Sequence, residues 1–121
     1  MNFNIEPFKA GQEYDINMLI MRVYDEFVAT VDSQIVGMVE TRDDKYISLL
    51  FVDKLYHRMG IAKALFKTAL ENCLCRDSTF KKFYVHASPY SINVYVRLGF
   101  KDTGGMRVEN GIKYLPMEME L

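Results

Sequence analysis

The stretch HRMGIAKALF, residues 57–66, sets a basic pair and a single glycine directly before an apolar helical pattern. It is preceded by YISLLFVD, residues 46–53, a short and nearly unbroken apolar run of the kind shown by a strand buried on both faces. A corner at which a strand hands over to a helix leaves free N–H groups and the positive end of the helix dipole pointing outward, and anions bind there. Gly60 allows the close approach of a phosphate that a side chain would block. Consecutive N–H groups from Arg58 through Met59, Gly60, Ile61 and Ala62 to Lys63 can then cradle a pyrophosphate. Arg58 adds charge, while Lys63 either adds more or is a solvated surface lysine.

These residues need elements to hold them. FNIEPFKA, residues 3–10, has strand character, and Pro7 suits an edge strand. Ile16, Leu19, Ile20, Val23 and Phe27 share one face at helical spacing, with Phe27 and Val28 assignable to helix or strand. Three strands follow in an antiparallel meander, with polar turns at Asp32-Ser33-Gln34 and Arg42-Asp43-Asp44. The second helix runs from Gly60 to about Cys73, its stripe made by Ile61, Leu65, Ala69 and Cys73 with Phe66 and Leu70 beside it. KKFYVHAS, residues 81–88, is a strand. Ser88-Pro89 then reads as a capped helix start leading to a short helix that ends at Gly99. The tail is two strands joined by Asn110-Gly111, the strongest hairpin signal in the chain. The order β-α-β-β-β-α-β-α-β-β predicts an α/β fold, a mixed central sheet layered with helices.

Size and charge narrow the functions. The chain has 121 residues, 50% of them hydrophobic, which fits one domain over 1–121 with one core. Fifteen Lys and Arg against 16 Asp and Glu give a net charge of −1, so the balance calls for neither nucleic acid nor an anionic membrane as partner. The N-terminus lacks a leader pattern, and no run approaches the roughly 18 apolar residues of a membrane span, so a soluble cytoplasmic protein is expected. Cys73 and Cys75 have no partners at metal-site spacing and read as two reduced thiols, with no metal expected.

LLFVD followed by HRMGIAKAL resembles the acetyl-CoA signature of the GNAT N-acetyltransferases, in which a valine-bearing strand leads to a Gln/Arg-x-x-Gly-x-Gly/Ala turn and helix. Val52, His57, Gly60 and Ala62 stand at its positions. SPYSINVYVRLGF, residues 88–100, resembles the family's second signature, a short helix carrying a tyrosine just before Gly-Phe. The resemblance covers essentially the whole element order and implies acetyl-CoA as co-substrate. It implies further that backbone groups of Leu50, Phe51 and Val52 pair with the pantetheine arm like an added strand, and that one N–H polarises the thioester carbonyl. Tyr95 aligns with the family's tyrosine and would give a proton or hydrogen bond to the leaving thiolate. Ser88 and Asn93 would hydrogen-bond to the cofactor, although Ser88 reads equally as a helix cap. For a general base the candidates are Glu40, at the end of GMVE, and His86, on the strand beside the expected thioester; each has an ordinary reading as a strand residue.

The chain also departs from the family pattern. Lys54 stands where proline is usual, and His57 replaces the Gln or Arg, which shifts part of the phosphate work to Arg58. The usual second helix before the meander has no counterpart, so the acceptor wall is open to solvent, completed by a second subunit in a homodimer, or absent. The resemblance therefore implies an N-acetyltransferase that moves the acetyl group from acetyl-CoA to a primary amine, on a small molecule or peptide, by direct attack in a ternary complex. No Cys-His or Ser-His motif argues for a covalent intermediate. The alternative from another class is a non-catalytic acyl-CoA-binding module that serves as sensor or interaction partner.

Overall fold

A computed structural model describes residues 3–8, 24–42, 45–79 and 81–121. The stripe at Ile16, Leu19, Ile20 and Val23, and with it the question of one helix or two, lies outside the described residues. The described elements are β1 (Asn4–Pro7), β2 (Tyr24–Val31), β3 (Gln34–Arg42), β4 (Tyr46–Val52), α1 (Ile61–Arg76), β5 (Lys82–Ala87), α2 (Ile92–Leu98), β6 (Lys101–Asp102), β7 (Arg107–Glu109) and β8 (Ile112–Glu120). The strands form one sheet in the order β1-β2-β3-β4-β5-β8-β6, with β7 paired to β8. This is the mixed sheet the element order predicts.

Local chemistry explains most of the joints. Pro7 closes β1 at the sheet edge, where a missing N–H costs no ladder bond. Asp32 and Ser33 both take positive φ, 49° and 67°, in the two-residue turn between β2 and β3. Asn110 and Gly111, at 52° and 78°, do the same between β7 and β8. Phe27 and Val28, which the sequence leaves between helix and strand, belong to β2.

Helix α1 carries the chain from β4 across to β5, the long connection that two parallel neighbours require. It buries Ile61, Leu65, Phe66, Ala69 and Cys73, the stripe read from the sequence. Phe66 meets Phe83 of β5 at 5.9 Å and Phe100 at 5.6 Å, both edge-on, and Phe100 meets Tyr95 of α2 at 5.5 Å. This aromatic chain ties the two helices to the sheet, and such pairs contribute about 0.5–1.5 kcal/mol each beyond their buried area.

Two expectations are corrected. The helix after β5 starts at Ile92, not at Ser88-Pro89, because Ser88 to Ser91 form a separate turn in which the Ser91 N–H donates to the Ser88 carbonyl at 3.0 Å. Strand β4 is not buried on both faces, since Leu49 is 39% and Phe51 47% exposed.

Candidate active site

The register of β4 creates the site. Glu40 of β3 pairs with Leu49 and Thr41 with Ile47, so Ser48 is an extra residue in β4, a β-bulge. Bulges bend the strand that carries them, and the pairing on the other side of β4 breaks at the same place. Only Tyr46↔Tyr84 and Ile47↔Val85 pair β4 with β5 among the described residues. From Ser48 onward, the two parallel strands leave an edge of β4 unpaired.

The bulge also resets the alternation of side chains. Ile47 is buried in the core, and beyond the bulge Leu50 and Val52 pack against it while Leu49 and Phe51 are exposed. The Asp53 N–H donates to the Val36 carbonyl at 2.7 Å, which places Asp53 in a hydrogen-bonded pair with β3. Ladder alternation then turns the N–H and C=O of Phe51 toward β3, and those of Leu50 and Val52 toward the open edge. Of the three residues expected to offer backbone groups to an extended ligand, Leu50 turns its N–H and C=O to this edge and Val52 its N–H, the Val52 carbonyl being taken by the His57 ring. Phe51 does not, because its groups belong to the β3 ladder.

A tight corner links this edge to α1. The Asp53 carboxylate accepts from the Leu55 N–H at 3.0 Å and starts a 3₁₀ turn, Lys54–Tyr56. The His57 ring donates from Nε2 to the Val52 carbonyl at 2.8 Å. His57 is thus a latch between the corner and the strand end, where the family pattern would place a ligand-facing Gln or Arg. Arg58 and Gly60 then take left-handed φ values of 65° and 80°. Successive N–H groups in such a turn converge into an anion-binding nest.

Gly60 is the N-cap of α1 and makes no side-chain capping bond, and the first turn carries no acidic residue. The N–H groups of Ile61, Ala62 and Lys63 precede the first intrahelical bond, made by the Ala64 N–H to the Gly60 carbonyl at 3.0 Å. A Cβ built on Gly60 meets nothing within 4 Å among the described residues, so no atom of these crowds that side of the turn. Nest, helix dipole and space fit a diphosphate, and Arg58, Met59, Gly60, Ile61, Ala62 and Lys63 would hold it.

On the face of the sheet opposite α1, a cavity of about 220 Å³ is lined by Arg42, Tyr46, Ile47, Ser48 and His86. It lies where β4 and β5 part. Ser48 Oγ donates to Glu40 Oε1 at 2.7 Å, which ties the Glu40 carboxylate to a residue of the cavity wall. The His86 ring stacks on Tyr114 at 4.5 Å with 23° between planes. A second cavity of about 230 Å³ lies among Gly99, Lys101, Glu118 and Glu120, and of the motif residues only Gly99, at the end of the second motif, reaches it.

Tyr95 is buried at the centre of α2, and burial pushes its phenol up to about 12. Its hydroxyl has no hydrogen-bond partner among the described residues. Ser88 is engaged in its own turn, Oγ to Ser91 Oγ at 2.9 Å, and Asn93 is exposed near the start of α2. Both α1 and α2 follow the carboxyl ends of the parted strands, where open α/β sheets bind ligands. Sequence reasoning missed Arg42, Tyr46 and Ser48. Ser48 had left a trace, being the one polar residue inside the apolar run ISLLFV.

Residues 12–121 match the profile of the acetyltransferase (GNAT) domain. The chain belongs to the GNAT acetyltransferase family. It is 35% identical over 85 residues to the uncharacterized N-acetyltransferase YafP of Escherichia coli, covering 69% of this chain and 50% of that protein. It is 33% identical over 90 residues to N-acetyltransferase 8 of Homo sapiens, covering 64% of this chain and 39% of that protein. The chain thus spans half the length, or less, of these curated relatives. A GNAT acetyltransferase from Elizabethkingia anophelis, solved with acetyl-CoA bound, superposes with a TM-score of 0.70 at 18% identity and covers 99% of both chains. The open β4 edge and the Gly60 nest lie next to each other, one suited to an extended ligand and the other to a phosphate. No described helix is long and apolar enough to cross a membrane.

Proposed function

We propose that this GNAT protein is an N-acetyltransferase that passes the acetyl group of acetyl-CoA to a primary amine by direct attack in a ternary complex. The observation that carries this reading is the unpaired edge of β4, beginning at the Ser48 bulge and running to the nest at Arg58–Gly60. In this reading the pantetheine arm lies along Leu50 and Val52, and the N–H groups from Arg58 to Lys63 hold the diphosphate. An N–H of the open edge polarises the thioester carbonyl, whose negative charge grows as the amine attacks.

Glu40 takes a proton from the acceptor ammonium, directly or through water, so that the neutral amine can attack, with His86 as the other base within reach of the cavity. Tyr95 donates a hydrogen bond to the departing sulfur. Ser88 and Asn93, at the turn and start of α2, contact the same donor molecule. The acceptor amine approaches from the cavity face, on a small molecule or a peptide. Cys73 and Cys75, neither of them in a disulfide, suit a reducing compartment, and we place the protein in the cytoplasm.

Thermal unfolding with acetyl-CoA tests the first half. At 100 times its dissociation constant the ligand adds about 2.7 kcal/mol, which raises Tm by several degrees. Gly60→Ala strains a left-handed position and points a methyl to that side of the turn, so it should abolish most of the shift. No shift with the wild type at millimolar acetyl-CoA would remove the donor site. A shift without thiol release on any of a panel of amines would favour a non-catalytic acyl-CoA-binding module.

A further inference from the structure

We propose that Ser48 is a positioning residue that holds the Glu40 carboxylate in place to take a proton from the acceptor amine. This rests on the acetyltransferase reading above and decides between its two candidate bases. A regular β4 would alternate its residues between the two faces of the sheet, and Ser48 would have a cross-strand partner like its neighbours. The bulge instead leaves it unpaired between Glu40↔Leu49 and Thr41↔Ile47 and turns it to the cavity side. There its hydroxyl donates to Glu40 Oε1 at 2.7 Å, a length typical of a hydrogen bond to a charged carboxylate, and contacts the Glu40 carbonyl at 3.3 Å.

The consequence is geometric. Glu40 has three rotatable side-chain bonds and a half-buried position, so without a partner its carboxylate samples many directions. One oxygen fixed by Ser48 leaves the other at a defined place beside the cavity, free to accept the ammonium proton. The His86 ring is held by stacking on Tyr114, and among the described residues no hydrogen bond aims either of its nitrogens. One structural device, the bulge in β4, therefore opens the donor edge and orients the base on the neighbouring strand β3.

The experiment is a double-mutant cycle of Ser48→Ala and Glu40→Gln, with Ser48→Thr as the conservative control. Thiol release from acetyl-CoA is followed with spermidine, with a lysine-containing peptide, and with water alone as acceptor. Ser48→Ala should lower kcat roughly tenfold, a part of what a general base contributes, with KM for acetyl-CoA unchanged. Ser48→Thr should restore the rate, and Ser48→Ala should add no further loss in the Glu40→Gln background. Ser48 is exposed, so Tm should stay within a degree or so of wild type in all variants of this position. A fully active Ser48→Ala, or losses that simply add in the double mutant, would overturn the assignment. An undiminished rate in Glu40→Gln would refute Glu40 as base, and Ser48 with it, while leaving the acetyltransferase reading intact. Absence of thiol release by wild type with every acceptor would refute both.

Discussion

Tyr95 is a side chain whose chemistry departs far from its behaviour in water. Burial holds its phenol at about 12, and an ordinary thiol titrates near 8.5. Complete transfer of the proton to a free thiolate is then uphill by about 5 kcal/mol. In the proposed reaction Tyr95 therefore stabilises developing charge on sulfur and remains a phenol. The same shift has a sign in stability. Below pH 10 the folded and unfolded chains both keep this proton, and between 10 and about 12 only the unfolded chain loses it. Folding stability falls across that window by about 1.4 kcal/mol per unit. Between about pH 9.5 and 11.5 the wild type should lose roughly 2 kcal/mol more than Tyr95→Phe, measured by denaturant unfolding. Equal losses would show that Tyr95 is solvated. Tyr95 and Gly60 were legible in the sequence because each answers a local demand, a phenol at a fixed step before Gly-Phe and a backbone that needs positive φ. Ser48 was not, because its role depends on how β4 registers with β3, which no local pattern encodes.

Helix α1 lies close over the sheet at Gly37 of β3. A Cβ there would sit 3.0 Å from the Phe51 carbonyl oxygen, 3.2 Å from Leu65 and 3.3 Å from Val52. The nearest of these atoms is backbone in a paired strand and yields little. Gly37→Ala should destabilise by about 1–3 kcal/mol, as overpacking does, and it should also weaken acetyl-CoA binding by displacing β4. Denaturant unfolding together with ligand titration checks both effects, and a variant as stable as wild type would show that the strands part with little resistance. The elements themselves were mostly legible, since α1 carries a five-residue apolar stripe and Asn110-Gly111 a strong turn signal. The start of α2 was misread because Ser88-Pro89 satisfies the rules for a helix cap and those for an isolated turn equally well. Tertiary packing of Tyr95 on Phe100 accompanies the later start.

At the scale of the molecule, the α/β architecture followed from the order of the elements, whereas the parting of β4 and β5 did not. Apolar side chains can close a parallel pair or line an opening in one, and the run YISLLFVD is consistent with both. The exposed Leu49 and Phe51 beside the cavity leave apolar surface that a second copy of the chain would bury. We expect a homodimer in light scattering at micromolar concentration, and a monomer would remove that expectation.

The bulge at Ser48 makes this strand sensitive to length in a way that its neighbours are not. Deleting one residue between Ile47 and Leu49 would bring the β3 ladder back into phase and let β4 continue against β5, closing the opening while leaving the core side chains their partners. Such a chain would fold at least as well and have nowhere to put its donor. Related sequences should accordingly tolerate many exchanges of one apolar residue for another along β4, and almost no insertions or deletions within it.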